Sequence, residues 1–220
     1  MRFAAVETST EWCSVALFHH GAIACVERRA PNRHSELALP MLQRLLDQCD
    51  WKIGELDAVA FGAGPGSFTG LRIACGIAQG LAFARALPVL GVSTLEAMAE
   101  ESGAARVAAC LDARMREVYY AALEKRGGRW HEVVPAQCVS PEAVAPLGAD
   151  WVGCGNGFAV YGNLGMMRTM PEVHPTALAV ARLAAPRLAA GEGVDAALAA
   201  PIYVRDKVAF TQAELHERRT

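Results

Sequence analysis

The chain has 220 residues, a formal net charge of -2 and 53% hydrophobic residues. That length allows one large core or two small ones, and the near-neutral balance gives no global electrostatic footprint for holding RNA unaided. The most apolar stretch, 73–84, contains Gln79 and stops at Arg85, too short to span a bilayer. From the N-terminus, residues 3–6 read as a buried strand whose apolar run ends at Glu7, unlike a secretory signal. Residues 13–18 and 22–26 form a predicted hairpin around His20-Gly21. A helix is predicted over 35–48, a strand over 58–61, a glycine-rich turn over 62–66 and a second helix over 69–85. A strand over 88–92 follows. Ser93 and Glu96 then have the capping-box spacing that opens a third helix.

The second half repeats this order more weakly. Strands are expected over 106–111, 118–123 and 130–134, a short helix over 141–147, and a strand over 151–153 with the glycine-rich turn 153–157 after it. An Ala/Leu helix spans 176–189, where Pro186 is expected to kink it or end it early. A closing strand is expected over 201–205. Two copies of βββαβαβα predict two α/β lobes, 1–102 and 103–220, with the closing strand free to pack back toward the first. Actin-like ATPases, sugar kinases and heat-shock chaperones share that plan, which does not by itself fix function.

The first two helices carry more apolar surface than one sheet can cover. Leu37, Ala38, Leu39, Met41, Leu42, Leu45 and Leu46 occupy an arc of roughly 200°, against a core-facing stripe of about 100°. The second helix is apolar nearly all round. Arg72 and Gln79 share its one polar face, and Gly76 and Gly80 leave a groove for another backbone. Burial inside the chain and a subunit interface both explain such helices. The excess arc favours an interface through Leu37, Met41, Leu45, Ile73, Gly76, Ile77 and Gly80.

The turn Gly64-Pro65-Gly66-Ser67-Phe68-Thr69-Gly70 joins a strand to a helix. Free amides at a helix start attract anions, so Gly64, Pro65, Gly66, Ser67, Thr69 and Gly70 form a candidate anion or nucleotide contact. The turn lacks the Lys of a Walker loop, and, counted from Gly62, Ser67 stands where G-x-G-x-x-G needs its third glycine. A helix cap on Ser67 or Thr69, with glycines serving close packing, explains it equally well.

Several segments together resemble the TsaB family, also called YeaZ. They are Glu7-Thr8-Ser9-Thr10, Cys13 to Leu17, Gly64 to Ile73 and Gly91-Val92-Ser93-Thr94-Leu95-Glu96, joined by Asp112 to Tyr120 and Pro201-Ile202-Tyr203-Val204-Arg205. The resemblance implies an actin-like fold and a pairing with TsaD, a paralogue that transfers threonylcarbamoyl to the adenosine beside the anticodon of certain tRNAs. It implies that the first lobe binds TsaD, that the small ATPase TsaE joins the complex, and that tRNA is met only through it. The over-apolar helices become the natural interface, and a homodimer through the same face fits a chain without its partner.

TsaD-like proteins carry a His-x-x-x-His pair for metal, and in this sequence Thr94 and Met98 hold those places. None of the six histidines lies four residues from another. Both points argue against a metallopeptidase and for a subunit with no catalytic residues, metal site or cofactor of its own. Nucleotide at the complex interface stays open. Glu7 stands where this superfold usually has Asp, and Ser9 where a glycine would ease phosphate approach, which weakens a nucleotide role for that turn. The alternative is an independent nucleotide-binding hydrolase or kinase. The seven cysteines form no CxxC pair, so reduced thiols and a cytoplasmic location are expected.

Overall fold

The computed structural model of the chain describes residues 1–205. The part of the expected second lobe from 206 to 220 lies outside the described residues. β1 (Arg2–Glu7), β2 (Trp12–His19) and β3 (Ala22–Arg29) form an antiparallel meander. His20 and Gly21 close its first hairpin with φ of 49° and 87°, the positive pair that a two-residue hairpin loop requires. α1 (His34–Gln48) leads to β4 (Ala58–Gly64), parallel to β1. α2 (Phe68–Phe83) leads to β5 (Val89–Ser93), parallel to β4, and α3 (Thr94–Ser102) follows. The sheet order is β3-β2-β1-β4-β5.

β1 and β4 are nearly unbroken apolar runs because both faces of the sheet are covered. Ala4, Val6, Val59 and Phe61 face α1 and α2, packing with Leu42, Leu46, Ala74 and Ala78. Phe3, Ala5, Ala60 and Val92 face the other way, against Ala177, Ala181 and Ala184 of α5 (Ala177–Ala189). The last helix of the second half therefore packs on the first sheet.

The second sheet repeats the first. β6 (Arg106–Arg114), β7 (Glu117–Arg126) and β8 (Arg129–Val139) form the meander, β9 (Val152–Cys154) pairs parallel with β6, and β10 (Thr169–Met170) with β9. The order β10-β9-β6-β7-β8 is the first order read from the other end. The expected α/β repeat is present, and four local expectations are corrected. The helix expected over 141–147 is only a 3-10 turn, Pro141–Ala143, because Pro146 pushes the residue before it out of helical geometry. β8 runs on past 134 to Val139. Pro135 is tolerated there because β8 is an edge strand. α5 continues through Pro186 to Ala189, with the proline exposed in its last turn. Residues 201–205 form no strand. Their one sheet-like bond runs from the Ile202 amide to the Ala63 carbonyl at 2.7 Å. The helix α4 (Asn156–Tyr161) and the strand β10 are additions to the predicted elements.

Candidate partner groove and glycine loop

The glycine loop lies directly on the turn that follows β1. A Cβ at Gly62 would stand 1.7 Å from Glu7 Oε2, one at Gly66 2.5 Å from the Ser9 carbonyl, and one at Gly70 1.9 Å from the Thr8 carbonyl. No other residue fits these three positions without moving backbone or a buried carboxyl. Hydrogen bonds stitch the same surfaces together. Thr8 Oγ1 donates to the Gly70 carbonyl at 2.7 Å, and the Ser67 amide donates to the Ser9 carbonyl at 2.7 Å. Ser67 caps α2 by accepting from the Gly70 amide at 3.3 Å. Gly64, Pro65 and Gly70 are buried, while Ser67 and Thr69 are exposed. Close packing and a cap account for the glycines, and the amides of Ser67 and Gly70 already have acceptors inside the chain.

Glu7 is fully buried beneath this loop. Its Oε1 accepts from the Ser9 amide at 2.5 Å, and its Oε2 has no partner among the described residues. Burial raises the carboxyl above its ordinary value, and the hydrogen bonds from Ser9 offset part of that rise. Thr94 and Met98 are also fully buried, Met98 in the apolar cluster of Leu95, Val107 and Cys154. Among the described residues, no group of three or more His, Cys, Asp or Glu is placed to hold a metal ion.

The second feature lies on the outer side of α1 and α2. A groove of about 370 Å³ runs between them, lined by Leu39, Ile73, Gly76, Ile77, Gly80 and Leu81, with Arg72 at its rim. Leu39 also lines a smaller hollow of about 290 Å³ with Leu46 and Ile53. Gly76 and Gly80 differ from the loop glycines, because a Cβ on either would meet nothing within 4 Å among the described residues. A glycine inside a helix costs roughly 1 kcal/mol relative to alanine, and no contact among the described residues offsets that here.

The structure separates the residues predicted for the interface. Ile73, Gly76, Ile77 and Gly80 meet in the groove. Leu37 is partly buried against the core. Met41 and Leu45 are each only 4% exposed and face inward, which corrects their expected place at an interface. The reason is that α1 sits in a corner, packing against β2, β3 and α2 at once, so its wide apolar arc is largely absorbed within the chain. Leu39, 49% exposed, is the part of that arc left over. Leu39 and Leu81 are groove residues the sequence reading missed. Their only signal was membership of an apolar helix face, which does not distinguish inward from outward positions.

The family model for TsaD, tRNA N6-adenosine threonylcarbamoyltransferase, matches residues 25–200. The tRNA threonylcarbamoyladenosine biosynthesis protein TsaB of Escherichia coli is 38% identical over 224 residues, 96% of this chain and 97% of the relative. The chain belongs to the TsaB family. TsaB of Haemophilus influenzae is 37% identical over 222 residues, 94% of each chain. The solved structure of YeaZ from Pseudomonas aeruginosa matches with a TM-score of 0.86 and 42% identity, over 92% of this chain and 99% of that one. The actin-like two-sheet plan expected from the sequence is thus the fold of this TsaB-family chain. The TsaD match begins within β3, takes in α1 to β5 of the first half and all of the second sheet, and leaves β1 and β2 outside it.

Proposed function

We propose that this chain is a non-catalytic subunit for tRNA threonylcarbamoyladenosine biosynthesis, and that it docks a TsaD-type paralogue in the α1–α2 groove. The observation that carries the reading is the pair Gly76 and Gly80. They keep a helix surface bare where none of the described residues comes near. Small residues four apart on a helix let a second backbone approach closely, and a partner's helix offsets the propensity the glycines lose. A paralogue of the same fold presents a helix pair of its own, so two related chains can meet across a pseudo-twofold axis. Without the paralogue, a second copy of this chain fits the same face.

Residues 1–102 then form the partner-binding lobe and the later residues the second lobe, acting in the cytoplasm. TsaE joins through the assembled pair, and tRNA is met through the complex rather than by this near-neutral chain alone. The non-catalytic part of the reading is supported by Thr94 and Met98. They stand buried where TsaD-like proteins place two histidines, and neither offers an imidazole nitrogen.

The test is a reconstitution of TsaD, TsaE, ATP, threonylcarbamoyl-adenylate and tRNA, with and without this chain. Modification that depends on the chain is the expected result. Equal modification without it, by partners shown active with their own TsaB, would contradict the reading.

A further inference from the structure

The segment from Ala199 to Arg205 touches both sheets and leaves contacts at each end. At its start the Ala199 carbonyl accepts from Gln79 Nε2 at 3.0 Å and from the Cys75 thiol at 3.5 Å, both on α2. Next, the Ile202 amide donates to the Ala63 carbonyl, and the Ile202 carbonyl lies over Gly64. Gly64 has a φ of 119°, and a Cβ there would stand 2.6 Å from that carbonyl, so a glycine is required for the segment to pass. Tyr203 then reaches the groove rim. Its hydroxyl accepts from Arg72 Nε at 3.3 Å, and its ring lies 5.6 Å from that of Phe68, over which the Arg72 guanidinium sits at 3.9 Å. At the far end Arg205 donates to the Ala113 carbonyl at 2.9 Å and to Glu117 Oε2 at 2.7 Å, with its guanidinium 5.7 Å from the Tyr119 ring centroid. The Arg205–Glu117 pair is mostly withdrawn from water, with side chains 14% and 22% exposed. Such a pair is less screened than a surface one.

What Arg205 grips is a turn under strain. Arg114, Met115 and Arg116 between β6 and β7 have φ of 63°, 56° and 59°. A two-residue hairpin loop of this hand normally uses Asn or Gly, and three successive larger residues in that region persist only where the surroundings impose it. Asp112 supplies part of that constraint. Its Oδ1 accepts from the Arg114 amide at 2.9 Å and from the Tyr161 hydroxyl at 3.1 Å. Arg205 adds to it from outside the hairpin, through the Ala113 carbonyl and Glu117.

We propose that Ala199–Arg205 is a strap that couples the rim of the α1–α2 groove to the β6–β7 turn. Tyr203 reads the position of Arg72, and Arg205 passes it to the turn. The strained turn is the element with an alternative arrangement to relax into, which coupling between distant sites requires. That the strap serves partner docking rests on the proposed role of the groove. That it joins the two ends does not.

Amide hydrogen exchange on the full chain alone tests the coupling. Tyr203→Phe, which removes the Arg72 acceptor at the other end of the strap, should speed exchange at residues 114–118 by about threefold. Arg205→Met should speed it about tenfold, and Arg205→Lys, which keeps the charge but not the fork, should fall between. With Arg205→Met in place, adding Tyr203→Phe should change nothing further at the turn. Unchanged exchange at 114–118 in Tyr203→Phe, or additive effects in the double variant, would overturn the proposal. Circular dichroism checks that each variant is folded, and the milder Arg205→Lys keeps the test available should Arg205→Met unfold. A TsaD-type partner added to saturation should slow exchange at 114–118 in the original chain and not in Arg205→Met. Failure of that partner to bind would count against the groove reading, while the free-chain comparison would still decide the strap.

Discussion

The two halves build the same sheet and cover it differently. In the first, β3 connects to β4 through the 15-residue α1, and β4 to β5 through the 16-residue α2. In the second, the matching connections are a three-residue 3-10 turn and the six-residue α4. A sheet of this order closes with very little helix. The long α1–α2 pair is more than closure requires, and it is this pair that leaves an apolar groove open. The glycines divide along the same line. Gly155 and Gly157 seat the second-half turn on β6, where a Cβ would stand 2.3 Å from the Cys110 carbonyl or 2.4 Å from its sulfur, just as Gly66 and Gly70 seat the first-half loop on Ser9 and Thr8. Gly76 and Gly80 have no counterpart of that kind.

The comparison predicts a graded response to substitution. The largest effect belongs to Gly70→Val, which drives a side chain into the Thr8 backbone. It should cost about 3 kcal/mol or more in urea denaturation, and a loss below about 1 kcal/mol would mean the loop is not seated as described. Leu45→Ala comes next. Because Leu45 is core rather than interface, it should lose about 2–4 kcal/mol of stability while the folded fraction still binds its partner normally. A stable variant with weak binding would return Leu45 to the interface.

A smaller effect is tied to pH. The Glu7 carboxyl is raised in the fold by burial, so its contribution is present at low pH and is lost as pH rises through the raised value. Glu7→Gln stays neutral throughout. Its denaturation midpoint should therefore improve relative to the original chain as pH is taken from 4 to 8, and a trend of opposite sign would contradict the burial argument. The smallest change is Gly80→Ala, which should stabilise the chain by about 0.5–1 kcal/mol, since the added methyl meets none of the described residues. Destabilisation would show that the groove floor is already occupied within the chain.

Much of this was readable in the residues. The apolar runs of β1 and β4, the hairpin at His20-Gly21 and the strand–glycine–helix junctions are short-range patterns that the sheet merely satisfies. The groove was half readable. The bare stripe of Gly76 and Gly80 marks it, but helical periodicity reports how wide an apolar face is and not how many neighbours share it. Met41 and Leu45 were for that reason assigned outward, although α1 lies against two strands and α2 together. The Ala-rich face of α5 suits either sheet, and nothing local says that it crosses to the first. α4 and β10 are too short to show a period at all. The course of residues 201–205 depends on long-range partners, Ala63, Arg72 and Glu117, that no local pattern announces.

The most direct test of the central claim is the affinity of this chain for a purified TsaD-type partner, measured by calorimetry for the original sequence and for Gly76→Glu. The substitution places a charge on the groove floor, at a site with room for it, so the fold should be retained by circular dichroism and thermal melting. A weakening of about 30-fold or more, with a melting temperature no lower than the original's, is the result the docking groove predicts. Unaltered affinity in the folded variant would contradict it and place the partner elsewhere on the surface.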